Sequence, residues 1–568
     1  MPCVELRWSM REPIFDPLEF YLREGKARHE RNVAERFSEF SARASIDEAE
    51  NERTVHSLQI KKKEAEAVAR KAQGVKRARR FGILGIIAAF FIAVFALNKA
   101  SMSSAAFSAC VFLSLAASIF LIVFLCVKLR KRLKNVSEQY ARIRGEADEL
   151  ETKAFEQVAS LNVQFTDEDS LRLIEKSLPC VSFDGFFTEA RLKELVGEYG
   201  YNSGRSDDTC VIGTLSGELY SRPFLYERRL THRMGWQTYH GSRSISWEER
   251  TTDSEGKTVY TTRTQTLTAS VTKPKPYYRT STRLSYGHEA LEELRFSRTY
   301  AHAEDESERA LEKKLKKGAR KLRELEEKAL KEGKDFVGLV NTEFEVLFGA
   351  TNRSDERLFR IMFTMQAQEN MLKLLLSDDG YGDDFNFFKQ GKINVIESEH
   401  SAARSFGLPA AEYYSCDHRE IRRNFIGKNE AFFKAVFFDF APLLLIPVYQ
   451  QPLARNTVHM GGSLCDYNFE EIAQRLSSRL CPESETEVIV KTSLIERTAG
   501  FDRVRVFASG YTTCRQVDYV SVRGGDGDYH DVEVYWTEYV PFTREEILRI
   551  SKGGASGTHY HGYSVEIE

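Results

Sequence analysis

Phe81-Gly-Ile-Leu-Gly-Ile-Ile-Ala-Ala-Phe-Phe-Ile-Ala-Val-Phe-Ala-Leu97 and Ala105-Ala-Phe-Ser-Ala-Cys-Val-Phe-Leu-Ser-Leu-Ala-Ala-Ser-Ile-Phe-Leu-Ile-Val-Phe-Leu-Cys-Val127 are two charge-free apolar runs only seven residues apart. Each reaches the roughly 17 to 25 residues that a helix needs to cross about 30 Å of hydrocarbon. The expectation is a transmembrane hairpin, with spans at 81–97 and 105–127 and a short external loop at 98–104.

Basic residues bracket the pair. Lys61, Lys62, Lys63, Arg70, Lys71, Lys76, Arg77, Arg79 and Arg80 precede it, seven more lie between Lys128 and Arg144, and the loop carries only Lys99. Lys and Arg near span ends stay on the cytoplasmic side, so both termini are expected in the cytoplasm of a multi-pass protein of the inner cell membrane. The membrane-interface set is then Lys76, Arg77, Arg79, Arg80, Lys128, Arg130, Lys131 and Arg132. Near a bilayer, such residues attract anionic head groups at about 1 kcal/mol per charge. The first run lies behind a long charged segment and a second run follows at once, which argues against a cleaved signal peptide. Gly85, Ala89 and Ala93 on one run and Cys110, Ser114 and Ser118 on the other form small-residue stripes. These suit close approach within the hairpin, or between two copies.

Helical periodicity extends outward on both sides. Ser45 and Glu48 have capping-box spacing, and Leu58, Ala65, Val68, Ala72 and Val75 then keep a three-four rhythm. Val136, Tyr140, Ile143, Ala147, Leu150 and Ala154 do the same after the second run. The pattern predicts an antiparallel coiled-coil stalk of arms 45–80 and 128–161, each about 30 residues and thus about 45 Å long. Residues 1–44 form a further helical segment with Val33, Phe37, Phe40 and Ala44 on one face, either a third bundle helix or docked on the globular part.

The chain of 568 residues is 42% hydrophobic and 29% charged, enough for two or three folded units, and its mean hydropathy is negative. A net charge of −2 gives no footprint for nucleic acid. Nine scattered cysteines without a C-x-x-C pair fit reduced thiols in a cytosol. Beyond the stalk the sequence divides into a β-rich section at 162–300, a helical section at 301–440, an α+β section at 441–551 and a tail at 552–568. The fold class expected is a membrane protein whose hairpin and stalk carry a large cytosolic α+β domain with antiparallel sheet.

Within that domain, Ser242–Thr252 and Thr258–Thr272 flank a turn at Asp253–Lys257, a Thr-rich hairpin with few apolar positions on either face. It is either a protruding arm whose edge binds a partner by strand addition, or a surface hairpin packed on its own domain. A charged helix is expected over Glu304–Gly333, with Leu311, Leu315, Leu322 and Leu325 in a stripe that Gly318 interrupts. Helices are also expected at Phe336–Phe348 and at Arg353–Leu376, the latter capped by Asn352. Phe432–Tyr449 contains Lys434, Asp439, Pro442 and Pro447, so it reads as buried core instead of a third span.

The stretches Thr268-Ala-Ser-Val-Thr-Lys-Pro-Lys-Pro-Tyr-Tyr278, Phe344–Met371 and Phe440-Ala-Pro-Leu-Leu-Leu-Ile-Pro-Val-Tyr-Gln-Gln-Pro452 resemble those of a bacterial family of uncharacterised two-span membrane proteins with a large cytosolic region. The resemblance implies a bacterial source. It implies no activity, cofactor or site residue.

Chemical motifs are sparse. Gly256-Lys257-Thr258 echoes a phosphate loop, but Thr251 stands where Gly is needed. His459, Ser463 and Cys465 crowd together without the G-x-S-x-G elbow. Cys416/His418 and His559/His561 have ligand types at i, i+2 but no second pair. Asp378, Asp379, Asp383 and Asp384, like Asp526, Asp528 and Asp531, look like turns and miss calcium-loop spacing. Catalytic, cofactor and metal residues are therefore assigned to none, and no cofactor is expected. The function expected is a non-catalytic, membrane-anchored binding or scaffold protein, holding a protein partner through its cytosolic domain at the bilayer. The alternative is a membrane-bound enzyme with an unrecognised site among His400, His418, His459 and Cys465. Oligomeric state is left open by the sequence.

Overall fold

Two long helices, Glu48–Lys99 and Ser104–Asn162, grow from the three-four rhythms on either side of the apolar runs. The computed structural model describes residues 13–99, 104–252, 258–333, 335–402, 404–451, 462–553 and 558–568; the side chains at 79, 89, 90, 92–99, 104–111, 113–115, 125, 126, 252, 558 and 559 lie outside the described set. The chain divides into one unit of Met1–Glu30, Ser170–Gly407 and Glu430–Glu568, and a second of Arg31–Asp169 and Leu408–Asn429.

In the second unit the long helices run antiparallel. Glu50 meets Lys153 at 3.3 Å, and Lys61 meets Glu146 at 3.0 Å. Such exposed pairs contribute little, about 0–1 kcal/mol each. The stabilisation comes from Val55, Leu58 and Ala65 buried on one helix and Ala147, Ala154, Val158 and Leu161 on the other. Residues 31–44 add Val33, Phe37 and Phe40 to this core, with the Phe40 ring edge-on to Phe165 at 5.3 Å. Asp47, not Ser45, accepts the Glu50 N–H at 2.9 Å; Ser45 stands at φ 49° in the preceding turn, a backbone that serves chain reversal and not capping.

The apolar runs lie within these helices, and here the sequence reading is corrected. Among the described residues no helix is long and apolar enough to cross a membrane. The transmembrane hairpin, the membrane-protein fold class and the multi-pass inner-membrane location are overturned on that ground. The expected loop at 98–104 falls mostly outside the described residues.

The first unit is α+β and built on two antiparallel sheets. The larger comprises β1 (Val181–Phe183), β2 (Thr209–Leu219), β3 (Arg222–Thr252), β4 (Thr258–Gly287), β5 (Arg295–Arg298), β6 (Phe385–Gln390) and β7 (Ile393–Ser398), in the order β1-β2-β3-β4-β7-β6-β5. The smaller comprises β8 (Ile489–Arg497), β9 (Phe501–Arg523), β10 (Tyr529–Lys552), β11 (Thr558–Tyr560) and β12 (Tyr563–Ile567), in the order β11-β12-β10-β9-β8. Residues 432–446 are the buried centre that their apolar run implies: Phe437, Phe440 and Leu443–Ile446 are sealed, and Phe440 packs on Phe224 with centroids 5.1 Å apart. The helix Asp466–Arg475 packs Phe469, Ile472 and Ala473 into a core with Val490, Val504, Val506 and Leu548 of the smaller sheet.

Three local readings change. The section read as helical contains the β6–β7 hairpin, which turns at Gly391 (φ 62°). The helix expected over Arg353–Leu376 breaks into Glu356–Met362 and Met365–Leu375, because Thr364 caps a fresh start by accepting the Ala367 N–H; Asn352 instead holds Ser297. Gly318 does not interrupt the helix Glu308–Glu332 but lets it approach Val346, whose side chain a Cβ would strike.

Candidate functional site

β3 and β4 outrun their sheet. β2 leaves the edge of β3 at Thr209↔Thr231, and β7 leaves β4 at Leu284↔Ile396. From there β3 and β4 pair, among the described residues, only with each other, without a register shift, as far as Thr252↔Thr258. From His232 to Thr252 this arm extends about 70 Å at 3.3 Å per residue. β9 and β10 outrun the smaller sheet likewise, pairing to Arg523↔Tyr529.

The two hairpins lie along one another. Lys273 pairs with Asp518 at 2.7 Å and sits over Trp536, Arg243 donates to the Asp531 carbonyl at 2.9 Å, and the Gly525 N–H donates to Gln265 at 2.7 Å. Ile245, Leu267 and Val532 form a small core, flanked by Trp247, Ala269 and Val522. Gly241 permits the approach, since a Cβ there would collide with the Glu533 carbonyl oxygen. Odd-numbered positions of β3 and β4 around this core face the second hairpin, and the even-numbered ones face solvent.

That outer face is a ladder of hydroxyls. Thr262, Thr264, Thr266, Thr268, Ser270 and Thr272 stand exposed on β4, across from Glu248, Ser246, Ser244, Ser242, His240 and Thr238 on β3. Thr238 and Thr272 share a hydrogen bond of 3.0 Å. Trp236 is 70% exposed nearer the body and Tyr260 64% exposed nearer the tip. Pro274 and Pro276 interrupt β4 opposite Trp236 and Met234. Proline has no N–H, so in an intact ladder these positions point their main chain outward, and by strict alternation so do the even positions from Thr262 to Thr272. The edge of β4 is thus closed by proline near the body and open in its Thr-rich half. The expected turn at 253–257, including Gly256 and Lys257, lies outside the described residues.

The described residues proposed for an enzyme are each committed to neighbours of their own. His400 is buried between two aspartates: Nδ1 is 2.5 Å from Asp384 and Nε2 3.2 Å from Asp439, while Tyr381 stacks on the ring at 3.9 Å. Burial pulls the imidazole pKa down, but the Asp439 charge and the hydrogen bonds the ring donates to both carboxylates outweigh it, and the pKa is raised to about 9. A ring with both nitrogens committed as donors cannot ligate a metal or take a proton. Asp439 also accepts from Ser401 at 2.6 Å and pairs with Arg404, as Asp383 pairs with Arg298. Asp383 and Asp384 therefore balance buried cations, and the acidic turn is no cation loop.

His418 belongs to the other unit, where its Nε2 lies 3.2 Å from Ser41 Oγ and its N–H donates to Asn51. Cys416 offers Asn51 its carbonyl. Cys465 is buried beside Asn468, and burial pushes its thiol pKa up to about 11, the reverse of what a nucleophile needs. His459 and the His559 side chain lie outside the described residues, and His561 stacks on Phe186. Asp526, in the turn of the β9–β10 hairpin, pairs with His530 at 2.7 Å, and Asp531 on β10 accepts from Ser521 across the strands. Lys76, Arg77, Arg80, Lys128, Arg130, Lys131 and Arg132 are exposed on the long helices, and the Arg79 side chain lies outside the described set. Sequence reasoning passed over His302, Glu304 and Asp305, whose ligand atoms lie within 4.8 Å of one another; Glu304 is already committed to the Asp383 N–H.

No family model, curated protein or solved structure matches the chain.

Proposed function

We propose that this chain is a non-catalytic binding or scaffold protein whose arm takes up an extended segment of a protein partner by strand addition along β4. The observation that carries this reading is the open edge from Thr262 to Thr272: its main-chain donors and acceptors point outward, while the adjoining edge is closed by Pro274 and Pro276. Main-chain hydrogen bonds supply the affinity in such docking. Specificity comes from alternate side chains of the incoming strand, which would lie beside the Thr ladder.

The test copies the protein's own device. Thr264→Pro with Thr268→Pro removes two outward donors while leaving the odd-numbered ladder bonds of the hairpin in place. The double variant is expected to fold and to lose the partners that co-purify with the intact chain. An unchanged set of partners would end the proposal.

A further inference from the structure

The loop between β5 and the helix Glu308–Glu332 carries His302, Glu304 and Asp305, whose ligand atoms all lie within 4.8 Å of one another. His302 stands at φ 47°, a chain reversal that leaves its Nδ1 3.5 Å from Glu304 Oε1. Glu304 is held in place from behind: its other oxygen accepts the Asp383 N–H at 2.9 Å, and its carboxylate lies so close to Gly382 that a Cβ there would strike it. On the other side of the ring, Nε2 lies 3.4 Å from Glu399, which in turn accepts the Tyr300 O–H at 2.5 Å. Three carboxylates thus surround one imidazole, and among the described residues none of the three has a Lys or Arg partner.

His400 shows how a different arrangement of the same groups behaves. Its two nitrogens are hydrogen-bonded and the ring is sealed, which makes a buried ion pair. Around His302 neither ring nitrogen makes a hydrogen bond among the described residues, and 3.5 Å between Nδ1 and Oε1 is longer than one. It is instead the separation of two ligands on one tetrahedral metal, about 3.3–3.6 Å for metal–ligand bonds of about 2.0–2.2 Å.

We infer that this loop binds a divalent transition-metal ion, zinc by its ligand types, through His302 Nδ1, Glu304 Oε1 and a carboxylate oxygen of the exposed Asp305. Imidazole nitrogen combined with carboxylate oxygen suits zinc and its neighbours, whereas calcium and magnesium take oxygen ligands. The ion supplies the positive charge that the three carboxylates lack. Glu399 does for the ring what an outer carboxylate does in zinc sites generally: it takes the Nε2–H and leaves Nδ1 the lone pair that bonds the metal. Three protein ligands leave the fourth position to water. Through Glu304 the ion would fasten the loop to the turn at Gly382, and through Glu399 to the end of β7; no reaction is assigned to it. This inference is independent of the strand-addition reading.

The test is titration calorimetry of the full chain with zinc chloride, beside magnesium and calcium chloride, with cobalt(II) as a spectroscopic probe. One zinc per chain is expected to bind in the micromolar range, with magnesium and calcium silent at the same concentration. The cobalt spectrum is expected to lack the thiolate charge-transfer band that cysteine ligation gives. Acidification should weaken binding, because the imidazole must bind the metal as a neutral ring. His302→Gln and Asp305→Asn replace side chains that make no hydrogen bond, and each is expected to weaken zinc binding at least tenfold with the urea midpoint unchanged. Glu399→Gln, which disturbs only the orientation of the ring, is expected to weaken it by about tenfold. Absence of micromolar zinc binding, equal binding of calcium, a thiolate band with cobalt, or full zinc binding by folded His302→Gln would overturn the inference. Because affinity, metal preference and the cobalt spectrum are read on the unaltered chain, a variant that fails to fold does not protect the idea.

Discussion

Replacing His400 by Gln should change the pH dependence of stability in a direction fixed by the geometry. The imidazole is buried between Asp384 and Asp439 and its pKa is raised to about 9, from an ordinary value near 6.5. A group that binds its proton more tightly when folded adds stability that is fully present below the unfolded pKa, and loses it as pH rises through the folded one. At 1.36 kcal/mol per unit, the contribution is about 3 kcal/mol at pH 6 and below, fading between pH 6.5 and about 9. Glutamine fills a similar volume but carries no charge, and it leaves the two aspartates facing each other. The variant should therefore be less stable at every pH, with the deficit largest near pH 6 and smaller by about 3 kcal/mol near pH 10. Urea unfolding of both chains at half-unit steps from pH 5.5 to 10 measures this, and other titrating groups cancel in the difference. A deficit that stays flat across that range would refute the reasoning.

Lys389 predicts the opposite slope. Burial pushes its amine down to about 7, so Lys389→Met should remove a cost of up to about 5 kcal/mol below pH 7, lessened by the stranded carbonyls of Ala290 and Gly391, with the gain vanishing by about pH 10.5; urea midpoints against pH read it. Asp439→Asn leaves Arg404 buried without its carboxylate and should cost about 3–5 kcal/mol, measured by the same unfolding curves at pH 7. Gly241→Val drives a side chain into the Glu533 carbonyl and should cost about 1–3 kcal/mol while speeding amide exchange at Ile245, Leu267 and Val532, with the body of the fold unaffected. In the native protein Cys514, which is exposed, should be alkylated well before the buried Cys180, Cys210, Cys465 and Cys481, as mapped by mass spectrometry; equal rates would contradict the packing.

Period and register explain what was legible. The three-four rhythm of Leu58 and Ala65 on one arm, and of Ala147 and Ala154 on the other, reports a local physical requirement, so the long antiparallel helices can be read directly. The Thr-rich hairpin was equally visible, because Thr, Tyr and alternation are properties of single strands. Two things were not. An apolar run is a statement about composition; among the described residues no helix is long and apolar enough to cross a membrane, and that is where the transmembrane reading fails. Pairings between distant segments are also silent: nothing in Gln265 announces Gly525, and His302 meets Glu399 only because the chain returns to it at the end of β7. His400 was picked out as a residue type, whereas its neighbours Asp384 and Asp439 come from separate segments and convert it from a base into a buried cation.

The division of the chain into interleaved units has a consequence for its birth on the ribosome. The long helices are local and can form as soon as residue 162 clears the exit tunnel, but the unit they belong to also draws on Leu408–Asn429. At about 5–20 residues per second, the roughly 240 residues in between take on the order of 12–50 seconds to make. During that interval Phe40 and Phe165 wait for Phe425, which completes their aromatic cluster. The nascent helices therefore spend over two fifths of synthesis with that surface uncovered, a window in which chaperone holdases would find this chain and after which they would lose it.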